Sequence, residues 1–237
     1  MPAYNAEKTV KATYNDLPKD LIDEVILVDD ESKDNTVAVA KKLGLSVYTH
    51  KKNLGYGGNQ KTCYDEALKR NPDIILMVHP DYQYDAKLTG VLCEPIVNGR
   101  ADIMLGSRVQ TRAQVLAGGM PLWRYIPNRF LTLFENITMG LNLSEYHTGF
   151  RAYSVKVLKT IPYHTYSDDF VFDQQILISA LSYGFNISEI PVPCKYFPEA
   201  SSANFKRSLK YGLQILWTVF AYLFHQIGLV KFSIFKK

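Results

Sequence analysis

The consecutive residues Val78-His79-Pro80-Asp81-Tyr82-Gln83 place a carboxylate, an imidazole and an amide within reach of one another. They follow residues 73–77, an apolar run with β-branched members that reads as a buried strand. In an open parallel sheet, ligands bind beyond the carboxyl ends of the strands. Asp81 at such a position, with His79 and Gln83 beside it, can hold a divalent cation and through it a phosphate. The same residues also read as a plain strand end followed by a polar turn.

Other residues with chemistry follow the same logic. Asp29 and Asp30 close residues 23–30, the strongest strand signal in the chain. Two adjacent acids repel unless water, a ligand hydroxyl or a base edge satisfies them, and a solvated strand end is the simpler reading. Gly55, Gly57 and Gly58, next to Asn59, let a backbone approach a ligand closely. A helix expected over 61–70 would then aim its free N–H groups at a phosphate or sugar oxygen. The spacing is not that of a Walker loop. Arg108 ends a strand expected over 102–108 and can clamp a phosphate or lie on the surface. Arg151 follows Gly149 in residues 146–153. Asp168, Asp169 and Asp173 gather before a helix expected over 174–183. The helix dipole alone explains acids there, and one of them can also serve as a general base.

The elements that must position these residues alternate. A strand at 23–30, a helix at 37–43 and a strand at 45–49 predict a parallel sheet. Residues 1–7 read as a loop leading into a helix at about 6–16. Further helices are expected at 87–98, 122–139 and 155–158, a mobile loop at 109–119, and a last strand at 186–192. The fold class is α/β, with a mostly parallel central sheet flanked by helices. A length of 237 residues with 47% apolar and 21% charged residues supports one sizeable core. A net charge of +4 is too mild to argue for nucleic acid. Cys63, Cys93 and Cys194 are odd in number, distant and without metal spacing, so free thiols in a reducing compartment are expected. No signal-peptide pattern is present, and a cytoplasmic setting is expected.

Taken in order, Pro2-Ala3-Tyr4-Asn5, the run from Val28 to Thr36, the glycine-rich 53–58, Asp81 after a strand, Gly106-Ser107-Arg108, Thr148-Gly149-Phe150-Arg151 and Glu189-Ile190-Pro191-Val192 resemble family 2 glycosyltransferases of GT-A fold. The resemblance is to their dolichyl-phosphate mannose synthase-like, polyprenyl-phosphate branch and spans residues 2–193. It implies a nucleotide-sugar donor, a polyprenyl phosphate acceptor, inversion, and Mg²⁺ or Mn²⁺. By position, Pro2, Tyr4 and Glu7 would line the base and ribose. Asp30 would contact them with Asp29 in support, and Gly57, Gly58 and Asn59 would border the nucleotide. Asp81 would bind the metal with Gln83 assisting. Arg108 and Arg151 would bind the acceptor phosphate or leaving diphosphate, and Asp168, Asp169 and Asp173 would lie on the acceptor side. The chain departs from the pattern twice. His79 stands where the family has an acid. Mg²⁺ prefers oxygen and Mn²⁺ accepts imidazole better; alternatively, Asp81 and Gln83 bind while His79 points away. The apolar first strand that precedes the Pro-x-Tyr-Asn loop in the family is missing here.

Residues 1–200 are read as the GT-A domain, and 201–237 as a basic loop plus an apolar C-terminal helix, with 201–205 a flexible acceptor-side loop. Residues 211–230 contain no Asp, Glu, Lys or Arg, but Gln214, Thr218 and His225 form a polar stripe. With Lys206, Arg207 and Lys210 ahead, this reads as a helix lying on an anionic membrane surface. The other reading is a helix packed on the domain or on a homo-oligomer partner. Alternatives for function are a saccharide hydroxyl acceptor, for which Asp168 or Asp169 would be the base, or a non-catalytic nucleotide-sugar binder.

Overall fold

The structure, a computed structural model, describes residues 1–109, 111–196 and 205–236, with the backbone alone for Gln114 and Phe205. The chain runs β1 (Pro2–Ala3), α1 (Val10–Asp16), β2 (Ile26–Asp29), α2 (Thr36–Lys42), β3 (Ser46–Thr49), α3 (Gly55–Leu68) and β4 (Ile74–Met77). It continues α4 (Thr89–Val97), β5 (Ile103–Ser107), α5 (Arg112–Ala117), α6 (Leu122–Met139), β6 (Arg151–Ser154) and α7 (Val155–Thr160). It closes with α8 (Phe172–Ser182), β7 (Ile187–Pro191) and α9 (Phe205–Gln226). The acceptor-side loop expected at 201–205 lies outside the described residues, apart from the backbone of Phe205.

The strands form two ladders, β1-β2-β3 and β4-β6-β5-β7. The first is wholly parallel, β5 and β7 are parallel, and β6 runs antiparallel to both of its neighbours. Side chains alternate across the sheet, as the two-residue strand period requires. Val28, Ile75, Met77, Ile103, Leu105 and Tyr153 point to one core, shared with Tyr64 of α3, Phe172 of α8 and Ile215 of α9. Leu27, Met104 and Ala152 point to the other, with Val10 of α1, Ala40 of α2 and Leu92 of α4.

Three expectations change, and one unassigned stretch becomes a strand. Residues 2–3 are not loop: they pair with Val28 and Asp29 as β1, so a short strand stands where none was expected. The glycine stretch is not a turn before α3 but its first turns. The mobile loop at 109–119 contains α5. Residues 151–154, to which the sequence reading assigned no element, are β6, whose backbone bonds to β4 and β5 on both sides outweigh the poor strand look of an arginine.

The C-terminal helix shares the main core. Ile215, Thr218, Val219 and Tyr222 are buried, and α9 packs on α6 and α8. The polar stripe is not an outer face: Thr218 is buried and its hydroxyl donates to the Gln214 carbonyl, Gln214 borders a cavity, and His225 accepts from the Phe232 N–H and bonds the Lys236 carbonyl. Leu209, Leu213, Trp217 and Phe220 face outward instead. Among the described residues no helix is long and apolar enough to cross a membrane.

Candidate functional site

Two cavities open at the carboxyl ends of β1, β2 and β4. The larger, about 690 Å³, is walled by Pro2, Tyr4, Asp30, Asn59 and residues 79–81 on one side. Arg207, Lys210, Tyr211 and Gln214 of α9 wall the other side. The second, about 500 Å³, lies between α6 and α9, with Trp123, Phe130, Leu209 and Leu213 at its mouth and Gln83, Arg108 and His147 deeper in. Tyr56, His79, Asp81, Phe170 and Tyr211 belong to both. The two cavities meet there.

Asp81 is at that junction because β4 ends at Met77 and the chain then turns sharply. Tyr82 takes a left-handed φ of 58°, a costly conformation for a tyrosine, fixed by its hydroxyl donating to Asp16 at 2.9 Å. The Asp81 carboxylate accepts the Gln83 N–H at 3.2 Å, and among the described residues it makes no ion pair. Burial pushes its pKa up to about 6, against the weaker pull of that N–H and of Arg108. His79 stacks on Tyr56, with ring centroids 5.3 Å apart, and its Nε2 lies 3.1 Å from the Tyr56 hydroxyl. That hydroxyl donates onward to Asp173 at 2.7 Å. Burial lowers the His79 pKa to about 4. Nε2 is therefore committed to protein, and among the described residues no group of three His, Cys, Asp or Glu is gathered for a metal. Of the expected metal set, Asp81 and Gln83 keep the arrangement and His79 turns Nε2 away. Close contact holds it so, since a Cβ on Gly149 would come within 2.8 Å of the His79 ring.

Several other expected residues have structural partners. Asp30 accepts from the Leu54 and Gly55 N–H groups at 2.8 and 3.0 Å and pairs with His50 at 2.8 Å. It thus caps α3 while also lining the larger cavity. Asp29 accepts the Ser32 N–H, and its other oxygen is buried without a hydrogen bond. The Gly57 N–H donates to the Asp168 carbonyl at 2.8 Å. At the amino end of α3 the N–H groups of Leu54, Gly55 and Gly57 are therefore taken by protein and not free for a phosphate. Gly57 and Gly58 line neither cavity: a Cβ on Gly57 would collide with the Ser167 carbonyl, and one on Gly58 with Leu54. Glu7 is also outside both. Its carboxylate accepts from the Asn35 backbone and side chain at the start of α2.

The two arginines differ from expectation. Arg151 is fully buried and lines neither cavity. Its guanidinium donates to the carbonyls of Thr148, Asp173 and Tyr146 at 2.6, 2.8 and 2.9 Å, and lies 3.8 Å from the Asp173 carboxylate. It ties β6 to α8 and cannot reach a substrate. Arg108 does line the apolar cavity, but it is clamped by Glu145, the His147 carbonyl and the Tyr196 hydroxyl. Burial opposes the charge on Glu145, yet Arg108 outweighs it and holds that carboxyl below the usual range.

The acids divide similarly. Asp168 is exposed, paired to Lys61 at 2.7 Å and outside both cavities. Asp169 lines the larger cavity and pairs with Lys210 of α9 at 2.6 Å. Burial raises its pKa, but the Lys210 hydrogen bond and charge, with the Phe170 N–H, lower it further, below the ordinary carboxylate value. Asp173 accepts from Tyr56 and from Gln60 at 3.0 Å and faces the apolar cavity. Sequence reading missed Tyr56, Phe170, Lys210 and Tyr211 as site residues. Tyr56 sits between two of the glycines it did single out.

Residues 1–161 match the family model "Glycosyl transferase family 2". An uncharacterized protein of Methanocaldococcus jannaschii is 30% identical over 83% of this chain and 80% of its own. A UDP-N-acetylglucosamine–dolichyl-phosphate N-acetylglucosaminyltransferase of Methanococcus voltae is 27% identical over 83% and 84%. The crystal structure of glucosyl-3-phosphoglycerate synthase from Mycobacterium tuberculosis, in complex with Mn²⁺, UDP and glucosyl-3-phosphoglycerate, superposes with a TM-score of 0.70. That match covers 97% of this chain and 79% of the synthase at 16% identity, and it shows the fold. The architecture is GT-A, and the chain belongs to glycosyltransferase family 2.

Proposed function

We propose that this glycosyltransferase moves a sugar from a nucleotide-sugar donor in the larger cavity to a polyprenyl phosphate in the apolar one, with inversion. The observation that carries the reading is the meeting of the two cavities at Asp81, one polar-walled and the other lying between exposed apolar helices. Pro2, Tyr4 and Asp30 would take the nucleoside and Asn59 its border, while the lipid chain would run out between α6 and α9. The dolichyl-phosphate substrate named for the Methanococcus relative supports the acceptor class.

A divalent cation, Mg²⁺ or Mn²⁺, fits Asp81: the carboxylate is penalised by burial and has no described ion pair, so a cation would relieve it. Asp81 would hold the ion with the Gln83 amide, and the ion would supply Lewis-acid stabilisation of the leaving diphosphate. The chain's own part is to orient donor and acceptor across the junction and exclude water. A phosphate acceptor is already anionic and needs no strong base. That accords with Asp168 outside the cavities and Asp169 held low by Lys210, and it disfavours a hydroxyl acceptor. The outward apolar faces of α6 and α9 support work at a membrane surface, and the three free cysteines accord with its cytoplasmic side.

The test is a thermal-shift panel of nucleotide sugars with Mg²⁺ and Mn²⁺, followed by transfer to geranylgeranyl phosphate. The matching donor raises the midpoint and its sugar moves to the lipid. No shift from any nucleotide sugar would sink the donor assignment, and transfer to saccharides but never to the lipid phosphate would sink the acceptor.

A further inference from the structure

The leaving diphosphate develops negative charge, yet both arginines expected to meet it are engaged elsewhere. Arg151 is sealed in the core and Arg108 is clamped by Glu145 in the other cavity. On the far wall of the donor cavity, the first turns of α9 present Lys210, with Arg207 beside it. Lys210 Nζ is 2.6 Å from Asp169 Oδ2, its side chain is 64% exposed, and Asp169 lines the same cavity.

We infer that Lys210 is a catalytic residue of this transferase: it leaves or shares its contact with Asp169 to bind the donor diphosphate and stabilise its charge as the sugar departs. The inference rests on the donor reading of the larger cavity. The C–O bond from the anomeric carbon to the diphosphate breaks with its electron pair going to the diphosphate, and the new bond forms from an acceptor oxygen. Lys210 transfers no proton and contributes charge and hydrogen bonds only. Asp169 parks the ammonium at the cavity wall while the donor is absent. An exposed carboxylate–ammonium pair is weak, so a diphosphate of higher charge can displace it. The C-terminal helix is then part of the catalytic machinery as well as a surface for lipid.

The test compares a nucleoside diphosphate with its monophosphate on the full chain, with Mg²⁺ present, using whichever of UDP, GDP, dTDP and CDP shifts the melting midpoint most. In the parent protein the diphosphate binds tighter. Lys210→Met is expected to weaken the diphosphate by about tenfold or more while leaving the monophosphate nearly unchanged. Lys210→Arg restores most of the gap, and Asp169→Asn keeps or widens it. Lys210 is exposed, so the fold survives these changes, as matching melting curves would verify. A gap undiminished in Lys210→Met, or lost equally in Asp169→Asn, overturns the inference alone. Failure of all four diphosphates to shift the parent protein overturns the donor reading and the inference with it.

Discussion

Asp81 illustrates how much a single side chain's surroundings decide. Its carboxylate is half-buried at the meeting of two cavities without a described counter-ion, and its pKa rises to about 6. In the unfolded chain it ionises near the ordinary value of about 3.9. Below about pH 4 the group is protonated in both states and carries no penalty. As pH rises toward 6 the unfolded chain ionises first, so folding stability falls, and above that range the loss is constant. Asp81→Asn should therefore raise the metal-free midpoint at pH 8, by an increment corresponding to at most about 3 kcal/mol, with no difference at pH 3.5. The same variant should lose transfer activity by about 10²-fold or more. A metal-free midpoint at pH 8 no higher than the parent's would show that the carboxylate is well solvated. Arg151 shows the opposite case. In the sequence it looks like a ligand arginine beside a glycine, but its guanidinium is a strut to the carbonyls of Tyr146, Thr148 and Asp173. Sequence order cannot distinguish these, because burial depends on what packs over the residue.

At the scale of elements, long apolar runs were legible and departures from propensity were not. Residues 23–30 and 102–108 announce strands because burial on both sides removes polar alternation. The 18-residue α6 was read from its start to its end. The start of α3 was misplaced because glycine opposes helix in isolation. Here the Asp30 carboxylate and the Asp168 carbonyl hold its first N–H groups, and those tertiary bonds outweigh propensity. The glycines are needed because the Ser167–Asp168 backbone packs directly on the helix. Gly57→Ala should accordingly cost about 1–3 kcal/mol in chemical denaturation, as overpacking does, although alanine favours a helix elsewhere. An unchanged denaturation midpoint would mean that residues 167–168 yield without cost. Because those residues adjoin Asp169 and Phe170 on the cavity wall, the shift should also weaken nucleotide binding.

For the whole molecule, the question is what covers the outward faces of α6 and α9. On α6, Leu122, Ile126, Phe130, Leu133 and Ile137 recur at helical spacing and are exposed, Ile137 to 73%. On α9, Leu209, Leu213, Trp217 and Phe220 do the same, Trp217 to 63%. Thr218 of the polar stripe is buried and Gln214 borders the larger cavity, so both helices offer apolar residues outward. The apolar cavity opens between them, at Phe130, Leu209 and Leu213. An apolar patch of this kind marks an interaction surface, and the exposed Lys206 at the start of α9 and Lys231 just past its end suit one that is anionic. A lipid chain could then pass from bilayer to cavity without crossing water. Co-sedimentation with vesicles containing about a third phosphatidylserine should retain the protein. Raising salt to about 1 M should weaken this without abolishing it, because screening removes the charge attraction and leaves apolar insertion. Trp217→Asp with Leu213→Ser should cut vesicle binding by about tenfold or more, while the melting curve stays close to the parent's, since both side chains are already exposed. If the double variant sediments with vesicles as the parent does, the α9 face is not the docking surface.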